Sequence, residues 1–157
     1  MKKLLLLCVA VLTLASCDDN EDFTPTQYEF LPTESAIVPE TMELGEAYDI
    51  SLEYIKPSDC YHFADLYFDE STKDIEDEDG NLVKTTILTV AVVNSVDIES
   101  ECIDNENEEL SEAGFAYTPI TEGAHIIRFW VASGSDDTTD EDDIFLEYET
   151  MVAKDLE

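Results

Sequence analysis

Apolar and polar residues alternate most clearly near residue 50 of the chain. Tyr48, Ile50, Leu52 and Tyr54 recur with period two, and the residues between them are polar or acidic. Because successive side chains of a strand point to opposite faces, this pattern predicts a half-buried β-strand. We expect the strand to end at Pro57, because proline has no N–H for a sheet ladder.

Other runs rich in Val, Ile, Thr and aromatic residues are bounded by turn residues, which predicts further strands. The sequence Asp79-Gly80-Asn81 has the chemistry of a hairpin turn, and a change of register is expected near Ala64. The predicted strands cover residues 36–38, 61–68, 82–93, 115–117, 124–132 and 144–152, which makes seven with the strand near residue 50.

No segment combines a helical period with capping residues, although residues 106–113 could form one turn or a short helix. About seven short strands with regular turns predict an all-β fold, an antiparallel β-sandwich. The run Glu-Gly-Ala-His-Ile-Ile-Arg-Phe-Trp at residues 122–130 resembles the late strand of immunoglobulin-like modules. Trp130 follows both Cys60 and Cys102, so the resemblance implies an immunoglobulin-like sandwich and not an antibody domain.

The first residues have the pattern of an export signal. Lys2 and Lys3 precede an apolar run at residues 4–14, which as a helix spans about 16 Å, roughly half the apolar core of a bilayer. The sequence Leu14-Ala15-Ser16-Cys17 resembles the lipobox of bacterial lipoproteins. The resemblance implies that residues 1–16 are removed and that Cys17 carries a diacylglyceryl group and a further acyl chain such as palmitate.

The five residues after Cys17 are Asp-Asp-Asn-Glu-Asp, residues 18–22. They resemble the surface-export signal of Bacteroidetes-type lipoproteins. The alternatives are a plain solvated spacer and a signal for retention in the inner membrane. We interpret residues 17–29 as a lipidated tether and residues 30–157 as the sandwich domain. The expected location is the outer membrane, with the domain on its outer face.

Charge restricts the partners. The chain has 39 acidic and 7 basic residues, a net charge of −32, so a nucleic-acid backbone or an anionic lipid surface would be repelled. Contact with the membrane is expected through the lipid anchor alone. The partner is expected to be a protein or a glycan at the cell surface.

Cys60 and Cys102 are the two cysteines that remain once Cys8 leaves with the signal peptide and Cys17 is lipidated. In an oxidising compartment the two thiols predict a disulfide. The alternative is a pair of buried free thiols, and two histidines give weak grounds for a zinc site.

The densest acidic run follows the predicted strand at residues 124–132. Carboxylates at short spacing suit calcium, so this run is a candidate metal site, although it does not form a complete calcium-loop motif. The alternative is a solvated loop that keeps the protein soluble. The Asp-Thr-Thr sequence at residues 137–139 also resembles an O-glycosylation site of exported Bacteroidetes-type proteins, with Thr138 as acceptor. The candidate calcium ligands are Asp136, Asp137, Asp140, Asp142 and Asp143.

Arg128 and Trp130 are the candidate ligand-binding residues, because they share one face of a predicted strand with Ile126. Arg128 could hold a carboxylate or a sugar, or stack on an aromatic ring, but its simplest interpretation is an ion pair with one of many acids. Trp130 is expected to pack in the core, with a binding platform as the alternative. His62 and His125 are expected to be packed or rim residues.

No nucleophile elbow, phosphate-binding loop or HExxH motif is present. We therefore expect a non-enzymatic binding or accessory module without a resident cofactor, calcium being the one candidate. The first alternative is a calcium-dependent structural or binding module that uses residues 136–143. The second is a hydrolase of unknown type, since an acid pair for glycoside hydrolysis is possible among so many carboxylates.

Overall fold

A computed structural model describes residues 26–77, 79–98, 101–105, 109–133 and 143–154. The described residues form two sheets in a sandwich-like arrangement, which confirms the predicted all-β class. None of them forms a helix that could span a membrane. The strands are β1 (Gln27–Leu31), β2 (Thr33–Ile37), β3 (Thr41–Glu43), β4 (Tyr48–Ile55), β5 (Tyr61–Glu76), β6 (Leu82–Val96), β7 (Leu110–Tyr117), β8 (Gly123–Ala132) and β9 (Ile144–Ala153).

The large sheet is built around β6. Its order is β1-β6-β8-β9-β3, and β5 pairs with β6 along its whole length. One edge of β6 therefore carries β5, and the other edge is shared by β8 and β1. A strand surrounded on both edges suits the Val-, Ile- and Thr-rich sequence of β6. Two of the pairings, β6 with β8 and β3 with β9, are parallel and not antiparallel.

The small sheet has the order β2-β4-β7 and covers one face of the large sheet. Pro32 separates β1 from β2, so the chain leaves one sheet and enters the other at a residue that cannot donate to a ladder. The alternation in β4 is confirmed, since Ile50, Leu52 and Tyr54 are buried. The core between the sheets consists of Leu31, Met42, Ile50, Leu52, Tyr54, Leu66, Leu88, Val90, Val92, Tyr117, Ile127, Phe129 and Val152.

The structure corrects four details of the sequence prediction. The described residues form nine strands and not seven, because β1 and β3 were not predicted. β1 begins at Gln27, inside the segment assigned to the tether. Residues 110–113 belong to β7, so the prediction of a possible helix is wrong for these residues. β5 continues to Glu76 through acidic residues that followed its predicted end.

The hairpin between β5 and β6 confirms the predicted turn. Gly80 has φ of 83°, a left-handed conformation that glycine adopts without a side-chain clash. The carboxylate of Asp77 accepts hydrogen bonds from the amides of Asp79 and Asn81 at 3.0 and 2.8 Å. These bonds, first of all those from Asn81, lower the pKa of Asp77.

The predicted Cys60–Cys102 disulfide is present, with Cα atoms 5.5 Å apart. Cys60 is buried just before β5 and Cys102 lies in the segment before β7. Close by, Ser58 and Asp104 form an isolated β-bridge. The disulfide therefore connects the start of the long hairpin to the segment that leads into the small sheet.

Candidate functional site

Residues of β8 alternate between the two faces of the large sheet. His125, Ile127 and Phe129 are buried on the core side. Ile126, Arg128 and Trp130 are half-buried on the opposite side, which we call the outer face, the face turned away from the small sheet. The shared face of these three residues was predicted, but the expectation that Trp130 packs in the core is wrong.

One row of polar side chains crosses the outer face. The strand registers place Asp69 of β5 opposite Thr89 of β6, Thr89 opposite Arg128, and Arg128 opposite Glu147 of β9. Directly opposed residues in neighbouring strands have Cβ atoms about 5 Å apart. A single cation therefore lies in the middle of a row that has a carboxylate at each end.

Arg128 is held by two uncharged neighbours. Its Nε donates a hydrogen bond of 2.8 Å to the hydroxyl of Thr89, and its guanidinium carbon lies 4.1 Å from the ring centroid of Phe145. Among the described residues Arg128 has no carboxylate within ion-pair distance, so the expected internal ion pair is not formed with any of them. The guanidinium is fixed by a hydroxyl and an aromatic face, and its charge is not neutralised by either.

A second row on the outer face is aromatic. The ring of Phe30 lies 5.8 Å from the ring of Tyr67 and 5.8 Å from that of Trp130. Trp130 is in register with Phe145, so the row continues to the residue that stacks on Arg128. Phe30 and Tyr67 are 47% and 48% exposed, which leaves ring surface available to a ligand. We call these four residues the ring row.

The floor of the outer face is formed by small and medium side chains of β6. Thr85, Ile87, Thr89 and Ala91 are buried, although the small sheet covers only the other side of this strand. Small buried side chains on a face that the small sheet leaves uncovered indicate a recessed floor, and concave surfaces are where ligands bind.

An acidic pocket occupies the other end of the outer face. It has a volume of about 560 Å³ and includes Thr85 of the floor and Ile126 of β8. Its lining carries the carboxylates of Glu40, Glu76, Asp77 and Glu149. The outer face thus passes from aromatic rings, through the fixed cation of Arg128, to a region of negative charge.

His125 is packed, as the sequence indicated, and His62 is exposed. His125 is 2% exposed, and its ring nitrogens lie 3.2 Å from the Thr121 hydroxyl and 3.2 Å from the Gly123 carbonyl oxygen. His62 is exposed at the start of β5, on the outer face by its register with Ser95. Both nitrogens of His125 are engaged, so it is not free to act as a catalytic base.

The calcium candidates fall almost wholly outside the described residues. Of Asp136, Asp137, Asp140, Asp142 and Asp143, the structure describes Asp143 alone, which is half-buried just before β9. Thr138, the predicted glycosylation acceptor, also lies outside the described residues. In the described ranges no three His, Cys, Asp or Glu side chains are grouped to hold a metal ion. The calcium site and the glycosylation site stay predictions.

Thr89, Phe30, Tyr67 and Phe145 were not predicted as site residues. Each lies on a different strand from Arg128, and a single sequence does not give the pairing of distant strands. One signal was available: a charged residue rarely lies in a protein core. The position of Arg128 therefore indicates that Ile126 and Trp130, on the same face, also point away from the core.

Comparisons of the chain with protein-family models, with curated proteins and with solved structures find no match.

Proposed function

We propose that the chain is a lipoprotein of the outer membrane, displayed at the cell surface, that binds a ligand on the outer face of its large sheet. The lipobox ending at Cys17 and the acidic residues 18–22 support the anchor and the location. A disulfide between Cys60 and Cys102 agrees with export from the cytoplasm.

The observation that carries the binding proposal is the state of Arg128. The chain has 39 acidic residues, and Asp69 and Glu147 lie in the same row as Arg128. The described contacts of Arg128 are nevertheless a hydroxyl and an aromatic ring. A half-buried arginine with a purely structural role in such an acidic chain would be expected to pair with a carboxylate, since buried charges are usually paired. A fixed guanidinium that has no carboxylate partner among the described residues and lies beside exposed rings is instead the arrangement of a binding surface.

The groups on this surface favour binding over catalysis. Ring faces and a guanidinium recognise and orient a ligand, whereas hydrolysis requires a positioned nucleophile or an acid and base pair. We therefore propose a non-enzymatic binding or accessory module, with an immunoglobulin-like architecture. That architecture is supported by the strand β8 that begins at Gly123, whose φ is 108°.

The anchor is tested by labelling cells with a fatty-acid analogue. The parent protein should be labelled and exposed to an added protease on intact cells, and Cys17→Ala should abolish the labelling. Equal labelling of parent and variant would contradict the anchor, and full protection of a labelled protein from protease would contradict surface display.

The binding surface is tested on intact cells that display the full chain, with immobilised polysaccharides and peptides as probes. Phe30→Ala should reduce adhesion of the cells, because it removes the centre of the ring row. Phe63→Ala is the matched control: Phe63 is 49% exposed against 47% for Phe30, and its register with the buried Asn94 places it on the other face. Equal loss in both variants, or no loss in either, would contradict a site on the outer face.

A further inference from the structure

Resting on the proposed function, we propose that the ligand is an oligosaccharide whose sugars are mostly neutral and which carries a single carboxylate that binds Arg128. The proposal depends on three properties of the outer face: the fixed geometry of the guanidinium, the sign of the surrounding charge and the position of the ring row.

The guanidinium of Arg128 is positioned before a ligand arrives. The Nε–H is used by Thr89 at 2.8 Å and one face of the group is close to Phe145 at 4.1 Å. The terminal N–H groups make no hydrogen bond with the described residues. Planar N–H donors match the two oxygens of a carboxylate, and a side chain held in advance loses little conformational entropy when the ligand binds.

The surrounding charge limits the ligand to few carboxylates. Asp69 and Glu147 flank Arg128 in its row, and the net charge of the chain is −32. A polyanion would be repelled at every position other than Arg128. Ionised carboxylates accept hydrogen bonds and donate none, so the rest of the ligand should be neutral and rich in hydroxyl donors.

The ring row lies at a suitable distance for a sugar. Its member Trp130 is two residues from Arg128 along β8, about 7 Å, a separation that one sugar unit and its carboxylate can span. Trp130, Phe30 and Tyr67 present apolar surfaces with tilted rings, and a sugar has an apolar face of C–H groups beside its hydroxyls. One sugar can therefore contact Trp130 while its carboxylate reaches Arg128.

The experiment uses the full lipidated chain in detergent micelles and isothermal titration calorimetry. The probes are xylose, glucose and mannose oligosaccharides that each carry one glucuronic acid, each paired with its carboxyl-reduced form. The acidic member of at least one pair should bind at least tenfold more tightly than its reduced partner. Arg128→Gln should abolish that difference.

Two further variants test the positioning. Thr89→Val keeps the shape of the side chain and removes the acceptor for Nε, so it should weaken binding of the acidic member several-fold and leave the reduced member unchanged. Glu147→Gln removes a competing carboxylate, so it should strengthen binding of the acidic member. Unchanged melting temperatures in all three variants exclude unfolding as the cause.

The proposal is overturned if no pair shows the difference, or if the difference survives in Arg128→Gln. It is also overturned if tetragalacturonate, or a peptide with a free terminal carboxylate, binds more tightly than every single-carboxylate probe. If both members of a pair bind equally and Trp130→Ala weakens that binding, recognition of a carboxylate by Arg128 is overturned and the proposed function still stands. Absence of any binding that depends on the outer face would overturn both.

Discussion

The hydroxyl oxygen of Tyr148 in β9 accepts a hydrogen bond of 3.1 Å from the backbone amide of Ala36 in β2. The two residues are 112 positions apart in the chain and belong to different sheets. Tyr148 also packs on the core beside Phe129, with ring centroids 5.9 Å apart. This contact satisfies an edge-strand amide and fixes the position of the small sheet on the large one.

Tyr148→Phe should lower the free energy of unfolding by about 1–2 kcal/mol, because the half-buried amide of Ala36 loses its acceptor while the ring still packs. Urea denaturation measures the change. Tyr28→Phe is the control, since Tyr28 is 63% exposed and should change the value by less than about 0.5 kcal/mol. Equal effects in both variants would show that the contact between the sheets contributes nothing.

Reduction of the Cys60–Cys102 disulfide should destabilise the domain. The two cysteines are 42 positions apart, and closing a loop of this size restricts the unfolded chain by on the order of 4 kcal/mol. Denaturation of the oxidised protein and of the Cys60→Ala, Cys102→Ala double variant measures the difference. A difference below about 1 kcal/mol would contradict this role, since it is far under the expected loss.

Asn94 is a buried amide on the core side of β6. Its side chain is 0% exposed, and neither its oxygen nor its nitrogen has a hydrogen-bond partner among the described residues. An unpaired buried amide costs about 1–3 kcal/mol, so Asn94→Leu should stabilise the domain by about 1–2 kcal/mol. Calorimetric melting measures the gain, and a lower melting temperature would show that the amide has a partner in solution.

Alkaline pH should destabilise the fold through Tyr117. Burial, and then the charge of Glu70, raise the pKa of Tyr117 to about 12. Because the folded pKa lies above the ordinary value of about 10, the stabilisation is complete below pH 10 and is lost as pH rises towards 12. Tyr117→Phe should therefore move the alkaline unfolding midpoint to higher pH, and an unchanged midpoint would contradict the assignment.

The sequence predicted strands well where alternation or β-branched residues determine them, as in β4 and β6. It also located the irregularity of β5, since the register shifts between Phe63 and Asp65. It missed β3, which has three residues and forms only because β9 lies beside it. It ended β5 too early, because local propensity does not show that β6 pairs with the acidic residues after Phe68.

The sequence predicted only part of the candidate site, because local patterns do not give the pairing of distant strands. Arg128 and Trp130 were identified because they are neighbours on one strand. The contacts of Arg128 with Thr89 and Phe145, and of Trp130 with Phe30, depend on pairing between strands that are distant in the sequence. Only the register of the folded sheet brings these residues together.

The most direct test of binding on the outer face uses the fluorescence of Trp130, the one tryptophan of the chain. Titration of the full lipidated chain with the glucuronic-acid oligosaccharides should give a saturable change in emission, with the same dissociation constant as calorimetry. Arg128→Gln should remove the change for the acidic probes. Calorimetric binding without any change in Trp130 emission would place the ligand elsewhere and contradict the account.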